Sequence, residues 1–141
     1  MRTYVQKGGF LFLDDLTFFD GTPAHFELAI LRTETWLKRV LPEGRLIPIP
    51  ASDPIFDGFF GIDPRDVPGF GSSAQGGAEL YGIYRDNDPT KSLMVIVTYR
   101  GILGHHWRHI SGLGSGLGAG DSPSGKAYRL GLNILIYGLS H

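Results

Sequence analysis

Three histidines, His105, His106 and His109, lie close together in the second half of the chain, beside Trp107 and Arg108. Neutral imidazoles are common ligands of zinc and other divalent metal ions. Since residues three or four apart share a helix face, His105 or His106 would lie beside His109 in a helix. The zincin motif His-Glu-x-x-His fails, because Trp107 and Arg108 lie between His106 and His109, and a catalytic metal site usually adds a carboxylate. The alternative is a polar loop that the buried ring of Trp107 anchors to the core.

Two aspartates, Asp14 and Asp15, directly follow the apolar run 10–13. Open α/β sheets bind ligands beyond the carboxyl ends of their strands, which makes these carboxylates candidate catalytic groups. Because side chains alternate along a strand, we expect at most one of the two to face such a crevice. The alternative is a solvated turn or a helix cap.

Basic side chains surround the histidine segment and suggest a second kind of chemistry there. Arg100 and Arg108, with Trp107, are candidate binding residues for an acidic ligand or partner. The glycine-rich loop at 111–125 contains partial matches to two phosphate-binding motifs. No strand is predicted to lead into either match, so we attribute both to the glycine content of the loop.

Hydrophobic periodicity and capping signals predict the elements that would position these side chains. Helices are predicted over 1–7, 23–41 and 127–139, and strands over 10–13, 80–84 and 93–99, the last two as a hairpin. The strand at 10–13 is apolar throughout, as is typical of a strand buried on both faces of a parallel sheet. In the last helix, the stripe expected to pack on the sheet consists of Tyr128, Leu132, Leu135, Ile136 and Leu139.

This order of elements predicts a single α/β domain over residues 1–141, with a Rossmann-like or flavodoxin-like open sheet and flanking helices. The segment 50–77 is rich in proline, glycine and aromatic residues and is interpreted as an irregular excursion over the surface. A helix as short as 1–7 is marginal on its own. We therefore expect the chain to be the C-terminal part of a larger domain whose N-terminal part is missing here.

Composition excludes several classes of function. The chain contains no cysteine, which rules out disulfides, thiolate metal sites and thiol nucleophiles. A net charge of −1 lacks the basic excess that nucleic-acid binding requires. The longest apolar run, 93–99, is far shorter than a transmembrane helix. We therefore expect neither nucleic acid as a partner nor a membrane-spanning segment.

Four segments in order carry a resemblance to a known family: GGFLFLDD at 8–15, PIPASDPIF at 48–56, YGIYRD at 81–86 and YRLGLNILIYGLSH at 128–141. With these, the chain resembles the bacterial family of domains of unknown function DUF4159. The resemblance implies a fold like that of class I glutamine amidotransferases, a further N-terminal portion, and a periplasmic or cell-envelope location. It also draws attention to Asp53, which lies in the second segment. The thiol chemistry of the amidotransferases is excluded, because the chain has no cysteine.

Three functional hypotheses follow. The first is a non-catalytic binding or scaffolding domain with a protein partner and no cofactor, as a subunit of an envelope-associated assembly. The second is a metal-dependent hydrolase that uses zinc or another divalent ion, with Asp14 or Asp15 beside the histidines and a site completed by the missing portion. The third is a sensor of small molecules with a pocket above Leu13.

Overall fold

A computed structural model of the chain describes residues 1–14, 23–68, 79–100, 103–108 and 122–140. These residues form a mixed α/β architecture in which helices flank a four-stranded sheet. The helices are α1 (Arg2–Gln6), α2 (Pro23–Leu37), α3 (Leu103–Arg108) and α4 (Pro123–Ser140), and the strands are β1 (Leu11–Asp14), β2 (Ile47–Pro48), β3 (Glu79–Tyr84) and β4 (Leu93–Tyr99). Among the described residues, no helix combines the length and the apolarity needed to cross a membrane.

The sheet is mixed, with strand order β1-β4-β3-β2. Strand β1 is parallel to β4, with Leu11 opposite Val95 and Asp14 opposite Thr98. Strand β3 is antiparallel to both β4 and β2, so the predicted hairpin of β3 and β4 is confirmed. The structure therefore agrees with an α/β domain and contains one parallel pair among its described strands.

Strand β1 differs from its prediction in burial. A strand buried on both faces was expected, but all four residues of Leu11–Asp14 are partly exposed. The reason is position, because β1 lies at one edge of the described sheet and pairs with β4 on one side only. The other edge of β1 presents backbone groups that no described strand pairs.

Alternation along the strands divides the core into two clusters, one on each face of the sheet. On one face, Val95 and Val97 of β4 pack with Ala29 and Leu37 of α2. On the opposite face, Ile96 packs with residues of α3, α4 and the segment after β2, namely Leu103, Leu130, Ile134, Ile55 and Phe56. The fold thus has three layers, with α2 on one side of the sheet and α3 and α4 on the other.

Helix α4 buries a different face from the one predicted. Of the predicted stripe, Leu135 is 57% exposed and Leu139 is 80% exposed, and Ile136 is exposed as well. The inward face instead consists of Ala127, Leu130, Asn133, Ile134 and Tyr137. The prediction was wrong because the helix is apolar on two sides and its inward face includes the polar residues Asn133 and Tyr137.

Two further boundaries depart from the prediction. Helix α2 ends at Leu37 rather than at Leu41, and a turn follows that still buries Val40. Helix α4 begins at Pro123, within the loop predicted for 111–125. The excursion is described as far as Pro68 and contains two 3₁₀ turns, Pro54–Phe56 and Pro64–Asp66.

Candidate functional site

Asp14 lies at the carboxyl end of β1, as predicted, and its carboxylate accepts three hydrogen bonds. Its Oδ1 accepts from Thr98 Oγ1 at 2.6 Å and from the backbone N–H of Leu103 at 3.1 Å. Its Oδ2 accepts from the N–H of Gly104 at 2.8 Å. These donors belong to the neighbouring strand β4 and to the first turn of α3, where N–H groups have no partner within the helix. Asp14 thus caps α3 through a long-range contact, whereas the alternative proposed for it was a local turn or N-cap.

The histidine segment begins directly beyond this cap. His105 and His106 lie in α3, so Asp14 is bonded to the turn that carries them. The side chains of His105 and Arg108 lie outside the described residues, as do Asp15 and His109 entirely. No group of three or more histidine, aspartate or glutamate side chains suited to a metal is found among the residues that the structure describes. The metal site therefore stays a prediction.

Asp53 is buried and bonded within the fold. Its Oδ1 accepts from the N–H of Ile55 at 2.9 Å, which caps the turn Pro54–Phe56, and its Oδ2 accepts from the hydroxyl of Tyr84 at 2.6 Å. Burial, together with this hydrogen bond to Asp53, raises the pKa of Tyr84 well above its usual value. The carboxylate thus fixes the excursion to the end of β3.

Arg100 follows β4 in a left-handed backbone conformation, with φ of 59°. Its guanidinium lies 3.5 Å from the carboxylate of Glu79, which is at the start of the antiparallel strand β3. Arg100, a candidate for binding an acidic ligand, is therefore paired with a carboxylate of the sheet.

Trp107 packs against α4, but its side chain is 36% exposed and lies in a helix, whereas the anchoring role predicted a buried ring in a polar loop. Its indole Nε1 donates to the carbonyl of Ala127 at 3.1 Å, and its ring lies 6.4 Å from that of Phe12, measured between centroids. The ring also lies over Gly131, where a Cβ atom would be only 2.5 Å from Trp107 Cζ2. Glycine at 131 therefore allows the indole to approach the helix backbone.

Beside Trp107 lies an apolar groove of about 420 Å³ that the sequence did not predict. It is lined by residues of α1, β1, α3 and α4, none of them charged: Tyr4, Phe10, Phe12, Trp107, Gly131, Ile134, Leu135, Gly138 and Leu139. Gly138 repeats the role of Gly131, since a Cβ there would lie 2.7 Å from the ring of Phe10. A signal was present in the sequence, because glycines seven positions apart mark one face of a helix where large neighbours approach closely.

The groove adjoins the edge of β1 that no described strand pairs. Phe10 and Phe12 turn towards the groove and the α4 layer, whereas Leu11 and Leu13 turn towards the α2 layer. Within the part of the chain that the structure describes, an apolar surface therefore lies next to strand backbone without a partner strand. The described lining of the groove does not contain the polar candidates that the sequence predicted. Three of these form hydrogen bonds or ion pairs within the fold: Asp14, Asp53 and Arg100.

The chain is similar to a known protein family. A model of a family described as a domain of unknown function matches residues 1–139, which is essentially the whole chain. No protein among the curated sequences matches significantly.

Proposed function

The chain belongs to the DUF4159 family, and for this domain we propose a non-catalytic protein-binding function, in which the groove beside β1 receives an extended segment of a partner protein. The observation that carries the proposal is the junction of an uncharged, aromatic groove with a strand edge that no other strand among the described residues pairs. Scaffolding within an envelope-associated assembly is the setting that the family resemblance suggests for this binding.

The strand edge supplies the first part of the argument. Unprotected edges are templates for pairing with another chain, and natural edges are commonly blocked by lysine, proline or a bulge. Strand β1 has the sequence Leu-Phe-Leu-Asp, which includes none of these blocking residues, and its terminal Asp14 turns to α3. A partner strand would gain backbone hydrogen bonds along this edge, as in β-strand addition.

The groove supplies the second part. In a strand, every second side chain points to the same face, so a bound strand would direct alternate side chains towards Phe10, Phe12 and Leu139. Large exposed apolar patches on a domain commonly mark interaction sites. Burying one exposed leucine contributes about 1.5–3 kcal/mol, so contacts of the partner's apolar side chains in the groove would add to the binding free energy of the backbone hydrogen bonds. The partner segment should therefore be extended and apolar at alternate positions.

We extend the proposal to the fold. The parallel pair of β1 and β4 and the helix α2 that follows β1 are what a Rossmann-like, flavodoxin-like or amidotransferase-like sheet contains. The periplasmic location stays an expectation from the resemblance.

Selection of random peptides on the immobilised protein tests the proposed function. We expect the selected peptides to be apolar at alternate positions and to slow amide hydrogen exchange in β1. Leu139→Glu should abolish their binding, because it places a charge in the groove, whereas Phe59→Glu, on an exposed side chain outside the groove, should leave binding unchanged. Binding that is indifferent to Leu139→Glu, or failure to select any such peptide, would contradict the proposal.

A metal-dependent hydrolase is the second candidate, and one observation favours it. The hydrogen bonds of Asp14 to Leu103 and Gly104 bring its carboxylate to the helix that carries His105 and His106. The sensor hypothesis placed its pocket above Leu13, but the groove lies on the opposite side of β1, with Phe10 and Phe12. A small-molecule role therefore stays a prediction.

A further inference from the structure

Helix α2 carries a second stripe that faces away from the sheet. Its members are spaced by three and four residues and all are exposed: Leu28, Leu31, Arg32, Thr35, Trp36 and, just beyond the helix, Arg39. The core takes the other side of the helix, where Ala29 and Leu37 are buried. An outward stripe with a tryptophan and two leucines is unusual for a helix whose apolar face already packs on the sheet.

The middle of this stripe is a shallow groove of about 430 Å³ lined by Leu31, Arg32, Thr35, Trp36 and Arg39. Thr35 keeps its hydroxyl on its own helix, where it donates to the carbonyl of Leu31 at 2.7 Å. The nearby Lys38 is paired with Glu34 at 3.0 Å. Within the part of the chain that the structure describes, the guanidinium groups of Arg32 and Arg39 form no ion pair and no hydrogen bond, although the carbonyl of Arg39 accepts from Arg2 Nη2 at 3.1 Å. The groove thus joins an apolar centre to two uncompensated positive charges.

We propose that this face of α2, the α2 groove, binds an acidic amphipathic helix of a partner protein. Arg32 and Arg39 are about 10 Å apart along the helix direction, which matches carboxylates two turns apart on a partner helix. Guanidinium groups bind carboxylates through two parallel hydrogen bonds, and tryptophan is a frequent anchor residue at protein interfaces. A large apolar side chain between the partner's carboxylates would contact Trp36 and Leu31.

Charge and shape favour a helix over a lipid surface. Segments that bind anionic membranes usually carry clusters of about four to eight lysines or arginines. The α2 groove contains only two arginines and is a shallow depression around Trp36, so it suits one side chain between two carboxylates better than a bilayer. This surface is separate from the groove beside β1, since the two share no residue. A domain with both sites would join two partners, which extends the proposed function from binding to bridging.

The probe is a synthetic helical peptide with two glutamates seven positions apart and a leucine midway, compared with the same peptide carrying lysines in place of both glutamates. Calorimetry should show binding of the glutamate peptide that weakens with salt. The double variant Arg32→Glu, Arg39→Glu should bind it at least about tenfold more weakly and should now prefer the lysine peptide. Lys38→Glu, one residue beyond the end of α2 and outside the groove, should have a much smaller effect than the double variant.

Three outcomes would overturn the proposal. They are equal binding of the two peptides, no binding of the glutamate peptide, and a double variant that binds as the wild type does. Sedimentation with phosphatidylserine vesicles is measured in parallel. A membrane is the better assignment for this face under two conditions. The protein must bind the vesicles but not the glutamate peptide, and the double variant Arg32→Glu, Arg39→Glu must no longer bind the vesicles.

Discussion

The side-chain amide of Asn133 pairs with both backbone polar groups of Phe60. Its Oδ1 accepts from the Phe60 N–H at 2.9 Å, and its Nδ2 donates to the Phe60 carbonyl at 2.8 Å. The same amide also accepts from the N–H of Phe59 and donates to the carbonyl of Ile55. Asn133 is buried, and it holds the irregular excursion after β2 to helix α4 much as a strand would hold its neighbour.

Replacing Asn133 by alanine should destabilise the domain by about 2–4 kcal/mol, because backbone groups of Ile55 and Phe60 would lose their partner at a buried position. Urea unfolding measures the change. Ser140→Ala is the control, since its hydroxyl donates to a carbonyl of its own helix at an exposed position and its loss should cost less than about 0.5 kcal/mol. Equal effects of the two variants would show that Asn133 does not secure the excursion.

Stability should fall at alkaline pH because of buried tyrosines. Burial raises the pKa of Tyr84, Tyr81 and Tyr137, and for Tyr84 the hydrogen bond to Asp53 adds to the effect. The unfolded chain releases these protons at about pH 10, whereas the folded chain retains them. The stability is therefore fully present below about pH 10 and is lost as pH rises further.

Tyr84→Phe isolates the largest of these contributions. The variant should be less stable at neutral pH, because Asp53 loses the hydroxyl that donates to it, and its melting temperature should fall less steeply above about pH 10. Thermal unfolding at a series of pH values gives both results. If the melting temperature of Tyr84→Phe falls with pH as steeply as that of the wild type, groups other than Tyr84 cause the alkaline sensitivity.

Asp14→Asn tests both interpretations of the carboxyl end of β1. An asparagine can accept through one oxygen only, so at least one donor among Thr98, Leu103 and Gly104 loses its partner, at a cost of about 1–3 kcal/mol. The melting temperature should fall by the same amount with and without added zinc. If zinc stabilises the wild type and Asp14→Asn removes that effect, the metal-dependent hydrolase becomes the better proposal.

The sequence predicted the elements well where a signal was local. The hairpin of β3 and β4 followed from two apolar runs joined by turn-forming residues, and α2 began at Pro23 as its proline indicated. The position of β1 in the sheet depends on which strands pair with it. The apolar run at 10–13 therefore indicated a buried strand, whereas β1 lies at an edge of the described sheet. A local sequence pattern therefore predicts a helix or strand better than it predicts which elements pack beside it.

The site depended on non-local contacts, and most of it escaped prediction. Asp14 and Asp53 were correctly singled out as unusual, but their partners lie 84 and 31 positions away along the chain, at Thr98 and Tyr84. Asn133 was missed because a polar residue among leucines suggests the solvent face of a helix. Its role is visible only once the backbone of Phe60 is placed beside it.

Gly131→Ala should displace the indole of Trp107, because the new methyl group would lie 2.5 Å from Cζ2. We expect a red-shifted emission of Trp107, measured in a Trp36→Phe background, together with weaker binding of peptides in the groove beside β1. Gly61→Ala is the control, since its methyl group would lie at an ordinary 3.6 Å from Asp57 Oδ1. Unchanged emission in Gly131→Ala would contradict the packing of Trp107 against α4.

Neighbouring positions of α4 give the sharpest test of which face is buried. Ile134 is 4% exposed and Leu135 is 57% exposed. Ile134→Asp should unfold the domain, because it buries an unpaired charge at a cost of more than about 4 kcal/mol. Leu135→Asp should keep the circular dichroism spectrum and urea midpoint of the wild type but lose peptide binding in the groove beside β1. If Leu135→Asp unfolds the domain as Ile134→Asp does, the outward face of α4 is part of a core, and the groove is closed by the protein's own chain rather than by a partner.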